Sequence, residues 1–442
     1  MIMRTPMKQL LKQWFAMALL IALAAFECQR GLAPALSRLD TDFPNYLTSA
    51  KIVADGRSPE RLYDESWFRE QARGYGMVGL STFSPFPPPT ALVLLPLASL
   101  SPLTALRVMT AVNVLCLLAS ALLLARALRW RRVDAAVFVL LSGNAIISCL
   151  RFGQLYIVIS SLCIFGYYAW LRGRPWLAGV AFGLFAPIKY YPLIFPAYLA
   201  ARKEWKVALG ALAAVLAVAL VSVSVLGWKI HETFLLSVFG NHLTAHLGQQ
   251  DPYAAAFQSF DTLFRHLFVP DPVLNPHPLW PAPRVQVICT ILTKAAAVLA
   301  AAVALIRLAR ETPQAAVAPS LGLLGVLVML IAPATATYHF ALLWLPVGLL
   351  INYFIGQGTR LAAYFLLGAY ALIGFFPYKF TYPFEGRGGL TVLAYPRLFL
   401  VAAIFVVCVW CVLAREPRSR RSPAREPAGP LGQPGRTMGQ PL

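Results

Sequence analysis

Long apolar runs broken by short basic turns set the rhythm of this chain. Residues 208–227, 287–308 and 393–413 are each long enough to cross a bilayer as one helix. Residues 14–26 follow Arg4, Lys8 and Lys12 and read as an uncleaved first span. No small-residue cleavage site follows closely, and Glu27 before Cys28 spoils a lipoprotein-type signal. Further spans are expected near 103–125, 133–150, 154–171, 175–188, 190–201, 205–227, 284–307, 318–333, 339–356, 361–377 and 393–414. The stretch 86–100 is apolar, but Pro85, Pro87, Pro88, Pro89 and Pro96 deny it a continuous helix, so it is expected to be re-entrant or partial. The expected fold is an all-α polytopic membrane protein with about twelve net crossings. Residues 1–414 form its single membrane domain, with extracytoplasmic loops at 31–85 and 228–283.

Composition agrees: 59% of the residues are hydrophobic and 13% charged, which excludes an ordinary soluble domain. The net charge of +20 raises nucleic acid as a partner, but its distribution argues for membrane lipids instead. With both termini placed in the cytoplasm, the basic turns fall on one side: Arg126 to Arg132, Arg172 and Arg174, Arg202 to Lys206, Arg307 and Arg310, and Arg360. Thirteen of the eighteen acids fall on the other side, together with Asn144, Arg151, Gln154, Lys189 and His339. The tail at 415–442 is rich in Pro, Arg and Gly and is expected to be a disordered cytoplasmic segment.

The seven cysteines imply no disulfide framework, and Cys408-Val-Trp-Cys411 sits in an apolar helix without further ligands. His242 and His246 have helical spacing but only loop acids nearby, so no metal and no cofactor is expected. Asp40 and Asp42 open the large first loop, where carboxylates near hydrocarbon are either solvated or functional. Lys189 stands in an apolar hairpin, an unfavourable place for an ammonium group unless it snorkels or binds an anion.

From Asp42-Phe-Pro-Asn-Tyr46 through Gly56 to Leu62-Tyr63-Asp64, the chain resembles the polyprenol-phosphate-mannose-dependent mannosyltransferases, glycosyltransferase family 87, of GT-C fold. The likeness continues through Ser84 to Leu97, Gly153-Gln154, Ala178-Gly179 with Gly183 and Lys189-Tyr-Tyr-Pro192, then Gln258-Ser259 with Arg265, and Pro333 with His339. It covers residues 40–350. Around His339 the chain departs from the family pattern, with Ala332, Ala336 and Tyr338 where members carry Ser, Trp and a first His.

The resemblance implies a membrane hexosyltransferase at the extracytoplasmic face of the cell membrane. Its donor would be a polyprenyl-phosphate sugar, its acceptor a glycolipid or glycan. Such chemistry needs a base for the acceptor hydroxyl and cations for the leaving phosphate. Asp42 is the candidate base, with Asp40 and His339 as further catalytic candidates. Lys189, Arg151 and Arg265 are the candidate phosphate ligands. Tyr46, Gln154, Gln258 and Tyr63 are candidates for sugar or acceptor contact. The alternatives are a lipid or sugar transporter or flippase, and a non-catalytic assembly partner. The near absence of ionisable residues at mid-span, Lys294 excepted, weighs against transport.

Overall fold

The computed structural model describes residues 4–40, 42–77, 81–243, 251–376 and 380–414. Among these residues the chain is helical throughout, with a single isolated β-bridge, Asp271 to Asn275. Six helices are long and apolar enough to cross a membrane: Lys12–Ser37, Pro102–Leu128, Trp205–Leu226, Pro283–Leu308, Thr337–Gly356 and Pro396–Leu413. A seventh forms if Arg132–Leu140 and Asn144–Arg151, bent by 71° at their break, count as one span. Shorter apolar helices at Tyr156–Leu171, Tyr191–Ala201, Ala315–Ile331 and Arg360–Phe375 stand where the sequence places further crossings. Every expected span thus has a helix, but several are shorter than a full crossing.

The first helix runs on past Glu27 through a π-helical turn, Cys28–Leu32, into Ala33–Ser37, so helical backbone continues into the stretch expected to open the first loop at 31. Residues 86–100 form only short 3₁₀ turns, Pro88–Leu92 and Leu95–Leu97. Consecutive prolines remove the amide donors that an α-helix needs there. This stretch lies against the helix Phe43–Ala54, whose Lys51 donates to the carbonyls of Ala98 at 2.6 Å and Leu100 at 3.0 Å. The tail at 415–442 and His246 lie outside the described residues.

The core gathers around Thr337–Gly356. Trp344, the largest fully buried side chain, donates its indole N–H to Ser142 Oγ at 3.0 Å. Outer helices turn apolar side chains outward, as lipid contact requires: Leu220 is 68% and Leu292 63% exposed. Lys294, the mid-span cation, is paired with Asp261 at 2.6 Å, which ties Phe260–Phe268 to Pro283–Leu308. Close helix contact at Gly179 and Gly183 fixes another part of the frame. A Cβ at these positions would lie 2.1 Å from Val207 O and 2.3 Å from Ala211 O. Their helix, Pro175–Gly183, therefore lies directly on Trp205–Leu226 and delivers the turn that carries Lys189.

Candidate active site

Asp42 caps the helix Phe43–Ala54 in a left-handed conformation, φ 71° and ψ −51°. A non-glycine residue held there stores about 1–3 kcal/mol of backbone strain, a frequent feature of functional sites. Its neighbour in space is Gln154. The Gln154 Nε2 donates to Asp42 Oδ2 at 2.7 Å, and Gln154 Oε1 accepts from the Tyr46 hydroxyl at 2.8 Å. Gly153 makes this approach possible. It has φ of +58°, and a Cβ there would lie 2.3 Å from the Phe43 ring, so only glycine lets the Gln154 turn close on the Asp42 turn.

The Tyr46 ring stacks on Phe86, with centroids 4.8 Å apart. Lys189 Nζ lies on a further side of the same ring system, 4.9 Å from the Phe86 centroid and 5.5 Å from that of Tyr156. Aromatic faces stabilise an ammonium group held away from water. Tyr156 meets His339, its hydroxyl 2.6 Å from His339 Nε2. On the other side of the ring, His339 Nδ1 lies against the Ala336 backbone, 2.8 Å from its nitrogen and 3.2 Å from its carbonyl oxygen. Carboxylate, amide, aromatic pair, ammonium, phenol and imidazole therefore form one connected series.

The adjoining cavity encloses about 730 Å³, its mouth included. Lys189, Tyr156, His339 and Thr335 supply its polar wall, and Ile188, Phe234, Val328, Met329 and Leu342 much of its apolar wall. No carboxylate lines it. Asp42 and Lys189 are close enough to act on each other's ionisation. Burial pushes the Asp42 carboxyl above the usual carboxylate range, against the opposing pull of the Gln154 hydrogen bond and the Lys189 charge. Burial lowers Lys189 to about 8, with Asp42 working against the fall.

The other expected site residues separate into two groups. Asp40 accepts from Arg151 twice, at 2.7 Å from Nε and 2.6 Å from Nη2, and lies 3.4 Å from Arg38. The Arg151 fork thus grips a carboxylate beside Asp42. Tyr63 donates to Phe86 O at 2.7 Å and packs on Phe83 and Phe234, so it props the wall from behind. Gln258 is buried and fully occupied. Its amide donates to Ala255 O at 2.7 Å and Ala394 O at 2.9 Å, and its oxygen accepts from the Arg397 backbone N–H at 3.0 Å. Its role here is to join loops. Arg265 stands on Phe260–Phe268, and it is not part of the cavity lining.

Two site residues escaped the sequence reading. Tyr156 had no distinguishing signal among many aromatic residues. Arg397 is 1% exposed and donates to Ile373 O at 2.9 Å and to Thr337 Oγ1 at 2.9 Å, holding the turn that carries His339. A lone arginine at the mouth of the last apolar run was the available signal. Among the described residues, no three His, Cys, Asp or Glu side chains gather as a metal-ligand set.

Apolar helices thus surround a half-buried carboxylate, a half-buried ammonium group and a largely apolar cavity. The chain belongs to glycosyltransferase family 87, whose model matches residues 85–333, and it is accordingly a GT-C-like membrane glycosyltransferase. No curated protein matches the chain at a significant level.

Proposed function

We infer that the protein is an inverting hexosyltransferase of the cell membrane. It takes its sugar, mannose by family resemblance, from a polyprenyl-phosphate donor and passes it to a glycolipid or glycan hydroxyl at the extracytoplasmic face. The observation that carries this reading is Lys189 at the cavity wall, held by the Phe86 and Tyr156 rings in a series of contacts that runs from Phe86 through Tyr46 and Gln154 to Asp42. A carboxylate with a raised pKa is suited to act as a base. A cation at the wall of a mainly apolar cavity suits a phosphate attached to an isoprenoid chain.

The acceptor oxygen attacks the anomeric carbon from the face opposite the phosphate, while Asp42 Oδ1 takes its proton. Gln154 holds the other carboxylate oxygen, Oδ2. The bond from carbon to phosphate oxygen breaks, and the electron pair leaves with the phosphate. Lys189, which lines the cavity beside Tyr156, stabilises that growing charge. The proton on Asp42 then returns to water. No step requires a metal or cofactor.

Purified protein in lipid, given a panel of polyprenyl-phosphate sugars and a mixed glycolipid extract, tests the proposal. Transfer of one hexose with inverted anomeric configuration is expected. Failure of every polyprenyl-phosphate donor, or a retained configuration, would refute it.

A further inference from the structure

A second cleft of opposite character lies along the same backbone that borders the catalytic cavity. It encloses about 590 Å³, mouth included, and its lining contains Asp251, Tyr253, His266, Tyr382 and Glu385. Two carboxylates line the cleft, and no lysine or arginine does. His266 adds no positive charge near neutral pH, because burial lowers it to about 4. Among the described lining residues, the catalytic cavity has a cation and no acid, whereas this cleft has two acids and no cation.

The acids are anchored yet keep acceptor capacity. Glu385 Oε1 accepts from the Ala255 N–H at 2.6 Å, and Asp251 Oδ1 accepts from the Tyr253 N–H at 2.8 Å. The second oxygen of each remains for hydroxyl donors. Tyr382 is 64% exposed and presents an aromatic face at the rim. Carboxylates beside an accessible tyrosine suit a ligand with hydroxyl edges and a C–H face. Continuity with the catalytic cavity comes from residues 253–258. Tyr253 and Ala255 line the cleft, and the Gln258 N–H donates at 2.9 Å to the carbonyl of Thr335, which lines the cavity.

We propose that this cleft is a saccharide subsite that holds the non-reacting sugar residues of the acceptor, an uncharged glycan chain. The proposal rests on the transferase reading above. Saturation-transfer NMR on the full-length protein in lipid nanodiscs, with methyl α-mannoside, mannobiose and maltose as probes, tests it. At least one disaccharide should bind the wild type and also Lys189→Met. Tyr382→Ala and Glu385→Gln should each weaken binding by about tenfold, the scale of one hydrogen bond to a charged group. Glutamine at 385 keeps the oxygen that accepts from Ala255, and Tyr382 is exposed, so both variants should fold. A wild type that binds none of the probes, or equal binding in both variants, would overturn the subsite. Calcium binding that Glu385→Gln abolishes, without a saccharide signal, would instead assign a cation site and equally overturn it. Titration of the same proteins with polyprenyl phosphate separates the two readings. Undiminished lipid binding by Lys189→Met would sink the donor assignment while leaving the saccharide result to stand or fall alone.

Discussion

Gln154 Nε2 donates to Asp42 Oδ2 at 2.7 Å, a bond between side chains 112 positions apart in the chain. With its oxygen bound to Tyr46 and only 1% of its surface exposed, Gln154 works as a clamp on the carboxylate, and a role in sugar binding recedes. Gln154→Met should slow turnover and leave polyprenyl-phosphate affinity unchanged. Tyr46→Phe removes only the far bond and should have a smaller effect in the same direction. A rise in donor KM with kcat intact would return Gln154 to the sugar-binding role.

Asp42→Asn preserves shape and the contact with Gln154 but cannot take a proton near neutral pH. Turnover should fall about a hundredfold to ten-thousandfold, the range of general-base effects. Donor binding should persist. Single-turnover transfer from radiolabelled donor measures it, and near wild-type rates would reject Asp42 as base.

Asp40 and Arg151 act as a pair, through two contacts of 2.7 and 2.6 Å. Asp40→Asn and Arg151→Met should therefore be less than additive in a double-mutant cycle of activity and thermal stability. Each alone should slow turnover far less than Asp42→Asn. Strict additivity would show that Arg151 acts on the donor phosphate independently of Asp40.

The pH dependence of kcat/KM should be bell-shaped. Asp42 must be ionised to act as a base, and burial raises its pKa, so the acid limb should lie above the ordinary carboxylate range. Lys189 must be protonated to attract phosphate, and its lowered value puts the basic limb near pH 8. Lys189→Met should remove that limb and weaken lipid-phosphate binding by about 1.5–3 kcal/mol. A basic limb unchanged in the variant would assign it to another group.

The orientation is open to a labelling test. Single cysteines at Glu60 and Lys203, both exposed, should react with impermeant reagents from opposite faces of sealed vesicles. Labelling of both from one face would overturn the assigned topology.

The sequence by itself determined the membrane class, most helix positions and some of the polar residues that the fold brings together. Length and hydropathy suffice for spans, because an apolar helix has no other low-energy place to go. Asp42, Lys189 and His339 were legible because polar groups beside apolar runs are few, and each now stands in one connected series. Only the tertiary structure decided which partners the polar residues meet. Hydrogen bonds between residues more than a hundred positions apart assign Gln154 to Asp42, Arg151 to Asp40 and Gln258 to the joining of loops. A motif records that a polar residue is needed, but the partner that satisfies it is set by packing. Gly153 shows the difference: the sequence displays a glycine, and only the fold reveals that the Phe43 ring occupies the space where a side chain would stand.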